Sequence, residues 1–264
     1  MQKRHSNRIQ YFEEQDFTTR EYVIPFIEKF RKVTAGMNIL EIGCGEGGNL
    51  KPFLDRGCMV TGIDLSQNKI RLALSFFENH PAKKQLELIS EDIYNLSSPE
   101  QKFDIVFMRD VIEHIHDQKR FMKFVRQFLH PDSLFFLAFP PWQNPFGGHQ
   151  QICRNKMLAI LPYFHLLPLP LYSGILKKGG ENEATIANLT EVKETGISIE
   201  NFERIIIDAE FQTISKIFYF INPNYEIKFK LKPIKQCGLI SRIPGLRNYL
   251  TTSVYYLLSP RGNL

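Results

Sequence analysis

The stretch Ile39-Leu-Glu-Ile-Gly-Cys-Gly-Glu-Gly-Gly48 constrains this chain more than any other. Ile39, Leu40 and Ile42 form a short apolar run with the character of a buried strand, and the glycines at 43, 45, 47 and 48 end it abruptly. Asn49 then stands in the position of a helix cap, ahead of a helix-like segment from Leu50 to Asp55 that stops near Gly57. Strand, glycine turn and helix start, in that order, make a cradle for an anion or a nucleotide. Glycine lets a backbone approach its ligand closely, and the free amides of a first helical turn favour a carboxylate or phosphate.

The segments that follow alternate in the same way. Strands are expected at Met59–Ile63, Leu86–Ile89, Phe103–Met108 and Ser133–Phe139, with helices from Ser66 to about Glu78 and over Phe121–Leu129. Such alternation implies right-handed crossovers and a parallel sheet. Ahead of it, Tyr22, Val23, Phe26, Ile27 and Phe30 recur at helical spacing and predict an amphipathic helix over about 19–32, despite Pro25. The rhythm breaks over 140–197, returns as a helix at Ile199–Ala209 and a strand at Thr213–Ile221, and breaks again over 222–250. A last strand, Ser253–Leu258, follows without a crossover, so it should run in reverse. The expected fold is α/β: a Rossmann-like, mostly parallel seven-stranded sheet with a reversed last strand. A single domain over 1–264 is expected, with its core in 36–139, 198–221 and 251–260. Residues 140–197 and 222–250 would be insertions forming a lid.

With 264 residues, 43% apolar and 23% charged, the chain has the composition of a globular protein. A formal charge of +5 is too mild to argue for nucleic acid. The four cysteines lie far apart without metal-type spacing, which points to a reducing, cytoplasmic home. Met1–Gln10 carries Lys3, Arg4 and Arg8 and no apolar stretch of the kind found in signal peptides. Met157–Leu176 has no charged residue, but Pro162, Pro168, Pro170 and His165 interrupt it too often for a spanning helix. It reads as a lid lining an apolar pocket, with membrane-surface contact the lesser alternative. His5, His80, His130 and His165 have no carboxylate or cysteine partner at ligand spacing, so no metal site is expected. The sequence is silent on oligomeric state.

Gly43, Gly45 and Gly48 also satisfy G-x-G-x-x-G, the dinucleotide fingerprint. Glu41 argues against a pyrophosphate there, since a carboxylate at the ligand end of the strand would repel it. Asp64, about twenty residues past the turn, stands where a carboxylate holds both ribose hydroxyls, or else caps a helix beside Ser66. Glu41-x-Gly43-x-Gly45-x-Gly47 resembles motif I of the class I S-adenosylmethionine-dependent methyltransferases. Val111-Ile-Glu-His-Ile-His-Asp117 is similar to the wording of small-molecule methyltransferases of the ubiquinone-biosynthesis type. The resemblance covers about 36–139 well and 198–221 loosely, and nothing of the insertions. It implies S-adenosylmethionine as cofactor, held by Glu41, Gly43, Cys44, Gly45, Gly47, Asp64, Leu65, Asp92, Ile93 and Arg109. In that likeness Leu65 and Ile93 flank the adenine and Asp92 meets its amino group, although Asp92 is equally an ordinary turn residue. Arg109 departs from the small or polar residue common at that strand end.

Glu113 and His114 lie where a methyl acceptor would approach, or else support the helix that follows. Trp142, the only tryptophan, is a candidate pocket floor, and Gly147-Gly148 reads as a hinge carrying His149. His149 is the first candidate for a base that deprotonates an acceptor hydroxyl, and His114 the second. The preferred activity is O-methylation of a small or medium-sized, apolar or aromatic acceptor. The alternatives are an NAD-dependent oxidoreductase and a non-catalytic S-adenosylmethionine-binding module. Nucleic-acid methylation is disfavoured because Phe139 precedes Pro140-Pro-Trp142, where an Asn or Asp would be needed. Lys228, Lys230, Lys232, Lys235, Arg242 and Arg247 form a basic stretch set against Glu226. Ile227, Phe229 and Leu231 alternate with its lysines and predict a half-buried strand with an exposed charged face.

Overall fold

The computed structural model describes residues 7–97 and 102–261, so His5, Lys3 and Arg4 lie outside the described residues. Eight strands form one sheet: β1 (Asn38–Ile42), β2 (Met59–Asp64), β3 (Leu86–Ser90), β4 (Phe103–Arg109), β5 (Leu129–Phe139), β6 (Phe211–Ile221), β7 (Ile234–Lys235) and β8 (Ser253–Pro260). Their order is β3-β2-β1-β4-β5-β8-β6-β7. The strands from β1 to β5 pair in parallel, and β8 is reversed between β5 and β6. The edge strand β7, two residues long beside Pro233, has too little pattern to be read from the sequence. Strand order reverses between β1 and β4, which places the ligand crevice beyond the carboxyl ends of those strands.

Two-residue periodicity explains why both faces are covered. Leu40 and Ile42 turn to one face with Val106, Met108, Phe135 and Leu137, under Phe121, Val125, Phe202 and Ile206 from the helices Gln118–Val125 and Ile199–Asp208. Ile39, Ile105, Phe107 and Phe136 turn to the other, under Ile24, Phe26, Ile27 and Phe53.

Three segments differ from the sequence expectation. The N-terminal helix starts at Arg8, capped by Asn7, and ends at Ile27 rather than spanning 19–32. Pro25 has no amide to donate, and the helix widens into a π turn over Thr19–Val23 just ahead of it. The first insertion contains real helices, at Lys156–Ile160, Leu169–Lys178 and Glu183–Thr195. They share a small core of Cys153, Leu158, Phe164, Tyr172, Leu176, Ile186 and Leu189. Its prolines mislead because Pro170 sits in a first helical turn, where a missing amide costs nothing. In the second insertion, Asn224–Phe229 is a helix and not a strand; Tyr225 and Phe229 pair one turn apart at 5.2 Å. No helix of the described residues is long and apolar enough to cross a membrane.

Candidate active site

The glycine turn is tied to the end of β2. The amides of Gly43 and Cys44 both donate to the carbonyl of Ile63, at 2.8 and 3.0 Å. Asp64 completes the tie: one carboxylate oxygen accepts from the Gly45 amide at 2.9 Å and the other from the Ser66 amide at 2.8 Å. Gly45 adopts φ +55°, and a Cβ added there would meet nothing within 4 Å. The turn therefore presents bare backbone to open space, as a cradle requires. Leu65, next to Asp64, leaves 75% of its surface exposed, an apolar plate beside the cradle.

Behind the turn lies a buried polar network. Glu41, 1% exposed, accepts from the Asn49 side-chain amide at 2.7 Å, and its second oxygen has no hydrogen-bond partner among the described residues. Burial pushes this carboxyl well above its ordinary range, with Asn49 and Arg109 opposing the shift. Arg109 donates to Asn49 Oδ1 at 2.7 Å, to Asn224 Oδ1 at 2.8 Å and to Thr19 Oγ1 at 3.3 Å. This corrects one expectation: Asn49 caps no helix but bridges Glu41 and Arg109, and Arg109 is held in that network. Arg8 pairs with the buried Glu46 at 3.0 Å, and the N-terminal helix thereby packs over the turn. Thr19 and Asn224 were not legible as site residues, because the fold brings them here from distant segments.

Cys44 is fully buried against the sheet, among Leu50 and Gly62. Ile93 is turned into the core at 7% exposure. Asp92 caps the short helical turn Ile93–Asn95 through the Tyr94 amide at 3.0 Å, which leaves its second oxygen able to accept.

The three acceptor-side candidates meet in space. The turn Ile112–His114 follows β4 directly, and the left-handed Asp110, φ 55°, aims it. Thr195 donates to the Glu113 carbonyl at 2.5 Å, which fixes the helix Glu183–Thr195 of the first insertion to this turn. Glu113 is 3% exposed, and neither carboxylate oxygen has a hydrogen-bond partner among the described residues. His149 Nε2 lies 3.9 Å from Glu113 Oε1, and the rings of His114 and His149 cross at 5.1 Å. Burial drives the Glu113 carboxyl well above its ordinary range, with Asp110 adding to it, and burial pulls His114 below its own. Burial thus favours the uncharged form of His114, the form that accepts a proton. One donor atom from each of the three residues falls within 4.8 Å of the others, a set able to hold a divalent cation. No spacing in the sequence announces it, since the sequence expectation of no metal site rested on linear neighbours alone.

The Gly147-Gly148 hinge is a further correction. A Cβ on Gly147 would lie 2.2 Å from the Trp142 carbonyl, and one on Gly148 2.3 Å from His165 Cβ. These glycines permit close packing, and the left-handed residue is His149 itself, at φ 55°. Trp142 is no pocket floor: it is half-buried against Gly196, with His165 edge-on at 4.7 Å. His165, fully buried, hydrogen-bonds the Trp142 carbonyl at 2.9 Å, and burial lowers its pKa to about 4.

A family model described as a methyltransferase domain matches residues 12–160, more than half of the chain and all of β1 to β5. The chain belongs to this methyltransferase family. That sets aside the dinucleotide reading of Gly43, Gly45 and Gly48. Among relatives, a ubiquinone biosynthesis O-methyltransferase of Coxiella burnetii is 30% identical over 105 residues, 39% of this methyltransferase and 43% of that protein. A namesake from Rickettsia canadensis is 24% identical over 213 residues, 79% of this chain and 80% of its own. The chain therefore spans less than half of the first relative and most of the second. Of solved structures, the Haemonchus contortus phosphoethanolamine N-methyltransferase 2 complex with phosphomonomethylethanolamine and S-adenosylhomocysteine superposes with TM-score 0.56. It is 16% identical and covers 90% of this chain and 52% of that one, a likeness of fold.

Proposed function

We propose that this methyltransferase uses S-adenosylmethionine to methylate a hydroxyl of a small or medium-sized, apolar or aromatic acceptor. Glu113, buried with no hydrogen bond to its carboxylate among the described residues, beside His149 and His114 at the strand edge that carries the glycine turn, is the observation that carries the reading. The cradle fits the cofactor on its own terms. Gly45 faces open space, Asp64 has lone pairs beyond the two amides it accepts, Leu65 is exposed, and Glu41 has an unpaired oxygen for a cationic group. When bound, S-adenosylmethionine supplies a methyl group on a sulfonium, and the protein is left to align and desolvate the acceptor.

His149 takes the acceptor proton on a ring nitrogen, with His114 as the second candidate. Glu113 stabilises the imidazolium so formed, as its position 3.9 Å from His149 Nε2 allows. The lid, with Thr195 fastened to Glu113, excludes water from this proton transfer. The names of the Coxiella and Rickettsia relatives support oxygen as the acceptor atom. Four cysteines with no disulfide among the described residues support a reducing, cytoplasmic setting.

Calorimetric titration with S-adenosylmethionine, with NAD as control, tests the cofactor. Radiolabelled methyl transfer to matched aromatic alcohols and amines tests the acceptor atom. Transfer to amines and to no alcohol would overturn O-methylation. Binding without transfer to either would favour the regulatory module.

A further inference from the structure

Away from the glycine turn, at the far edge of the sheet, a hollow of about 510 Å³ opens between β6, β7 and the short helices Gly238–Ser241 and Leu246–Tyr249. Lys216, Phe218, Lys235, Gln236, Arg242 and Arg247 line it. Its charges do not cancel. Arg247 donates Nε to Glu200 and Nη2 to Glu203, both at 2.8 Å, and Lys216 also pairs with Glu203. Lys235 and Arg242 are exposed, and neither has a carboxylate within ion-pair distance among the described residues. Four cations thus face two carboxylates in one concave place, which concentrates positive potential.

The hollow is also built, not merely charged. Arg247, its side chain 10% exposed, is held over the Phe218 ring at 5.3 Å, and its Nη1 has no partner among the described residues. Gln236 is 8% exposed and donates to the Arg247 carbonyl at 3.0 Å and to Thr251 Oγ1 at 2.7 Å. A planar, pre-oriented guanidinium with a free N–H edge suits a phosphate oxygen, and two mobile cations at the rim suit the rest of its charge. Around that rim Leu239 is 73%, Leu246 45% and Ile243 42% exposed, an apolar border beside the cations. The volume exceeds that of a bare phosphate, so the ligand has an organic body as well.

We propose that this hollow binds the phosphate group of a phosphate ester, independently of the methyl-transfer site. A soluble phosphate ester and a phospholipid headgroup share that chemistry. The test uses the full chain and a Lys235→Ala/Arg242→Ala variant, whose two side chains are exposed and hold no buried partner. Calorimetry with inorganic phosphate and with glycerol phosphate is run at fixed ionic strength. Co-sedimentation compares vesicles containing phosphatidylglycerol with vesicles of phosphatidylcholine alone. The parent should bind at least one phosphate probe, and the variant should bind it about tenfold or more weakly. S-adenosylmethionine affinity, the control for folding, should be equal in both. A preference for phosphatidylglycerol vesicles with no binding of the soluble probes assigns a lipid headgroup, and the reverse assigns a soluble ester. A parent that binds none of the probes, or a variant that binds as tightly as the parent, overturns the site.

Discussion

Two glycine clusters in this chain look alike in sequence and do opposite work. In the turn after β1, Gly45 is left-handed and stands before open space. In the first insertion, Gly147 and Gly148 stand against the Trp142 carbonyl and the His165 side chain. One cluster clears space for a ligand, and the other clears space for the protein's own atoms. The comparison teaches that a glycine pair marks close approach without saying what approaches. In the proposed reading the two clusters serve two halves of one site, Gly45 on the cofactor side and Gly147-Gly148 beside His149 on the acceptor side.

The sharpest separation of the halves is kinetic. His149→Ala should lower turnover about 10²–10⁴-fold, as loss of a general base does, with S-adenosylmethionine affinity nearly unchanged. Steady-state rates and calorimetry on the same preparation check both parts. Undiminished turnover would transfer the role to His114.

Asp64→Ala should act on the opposite half, weakening S-adenosylmethionine about 10–100-fold, equivalent to about 1.5–3 kcal/mol of hydrogen bonding to a charged group. The structure adds a consequence that the sequence did not suggest. Asp64 also holds the amides of Gly45 and Ser66, so Asp64→Ala should lower the melting temperature as well. An unchanged affinity would remove the ribose assignment.

The parent–variant pair Gly45→Ala and Gly148→Ala tests the glycine comparison itself. Gly148→Ala should lose about 1–3 kcal/mol of stability through overpacking against His165, with cofactor affinity close to that of the parent. Gly45→Ala should carry the cost of a left-handed Ala, about 1–2 kcal/mol, and lose cofactor affinity too. Similar affinity losses in both would mean that the clusters are one unit.

The same contrast explains how much was legible beforehand. Residues 36–139 follow local rules: alternating apolar strands, glycine at a left-handed turn, acids at strand ends. Their parallel pairing and the reversed β8 followed from pattern alone. The insertions obey tertiary constraints instead. Pro170 begins a helix, Ile227–Leu231 is amphipathic at either period, and the Gly147-Gly148 packing depends on His165, which arrives later in the chain. At the site, Asp64 and Leu65 stand where strand-end logic puts them. Asn49 and Arg109 do not, because Asn49 answers to Thr19 and Arg109 to Thr19 and Asn224, whose approach no local pattern encodes.

The smallest expected effect concerns what Glu113 does to the fold. Its carboxyl is buried without a hydrogen-bond partner among the described residues, and burial raises its pKa well above the ordinary carboxyl range. A carboxyl raised in the folded state favours folding most when protonated. The stability it gives is therefore complete below the unfolded pKa, and it falls as pH rises toward and through the folded pKa. Glu113→Gln keeps the shape and removes the charge that burial penalises. The variant should match the parent near pH 4 and exceed it by about 1 kcal/mol on the alkaline side of the transition, the scale of one unsatisfied buried group. Urea unfolding at stepped pH measures the difference. A gap that shrinks as pH rises would mean that Glu113 is held ionised by protonated His149, making their 3.9 Å approach an ion pair in the resting protein. A gap that grows would leave Glu113 a carboxyl whose charge is tolerated at the expense of stability.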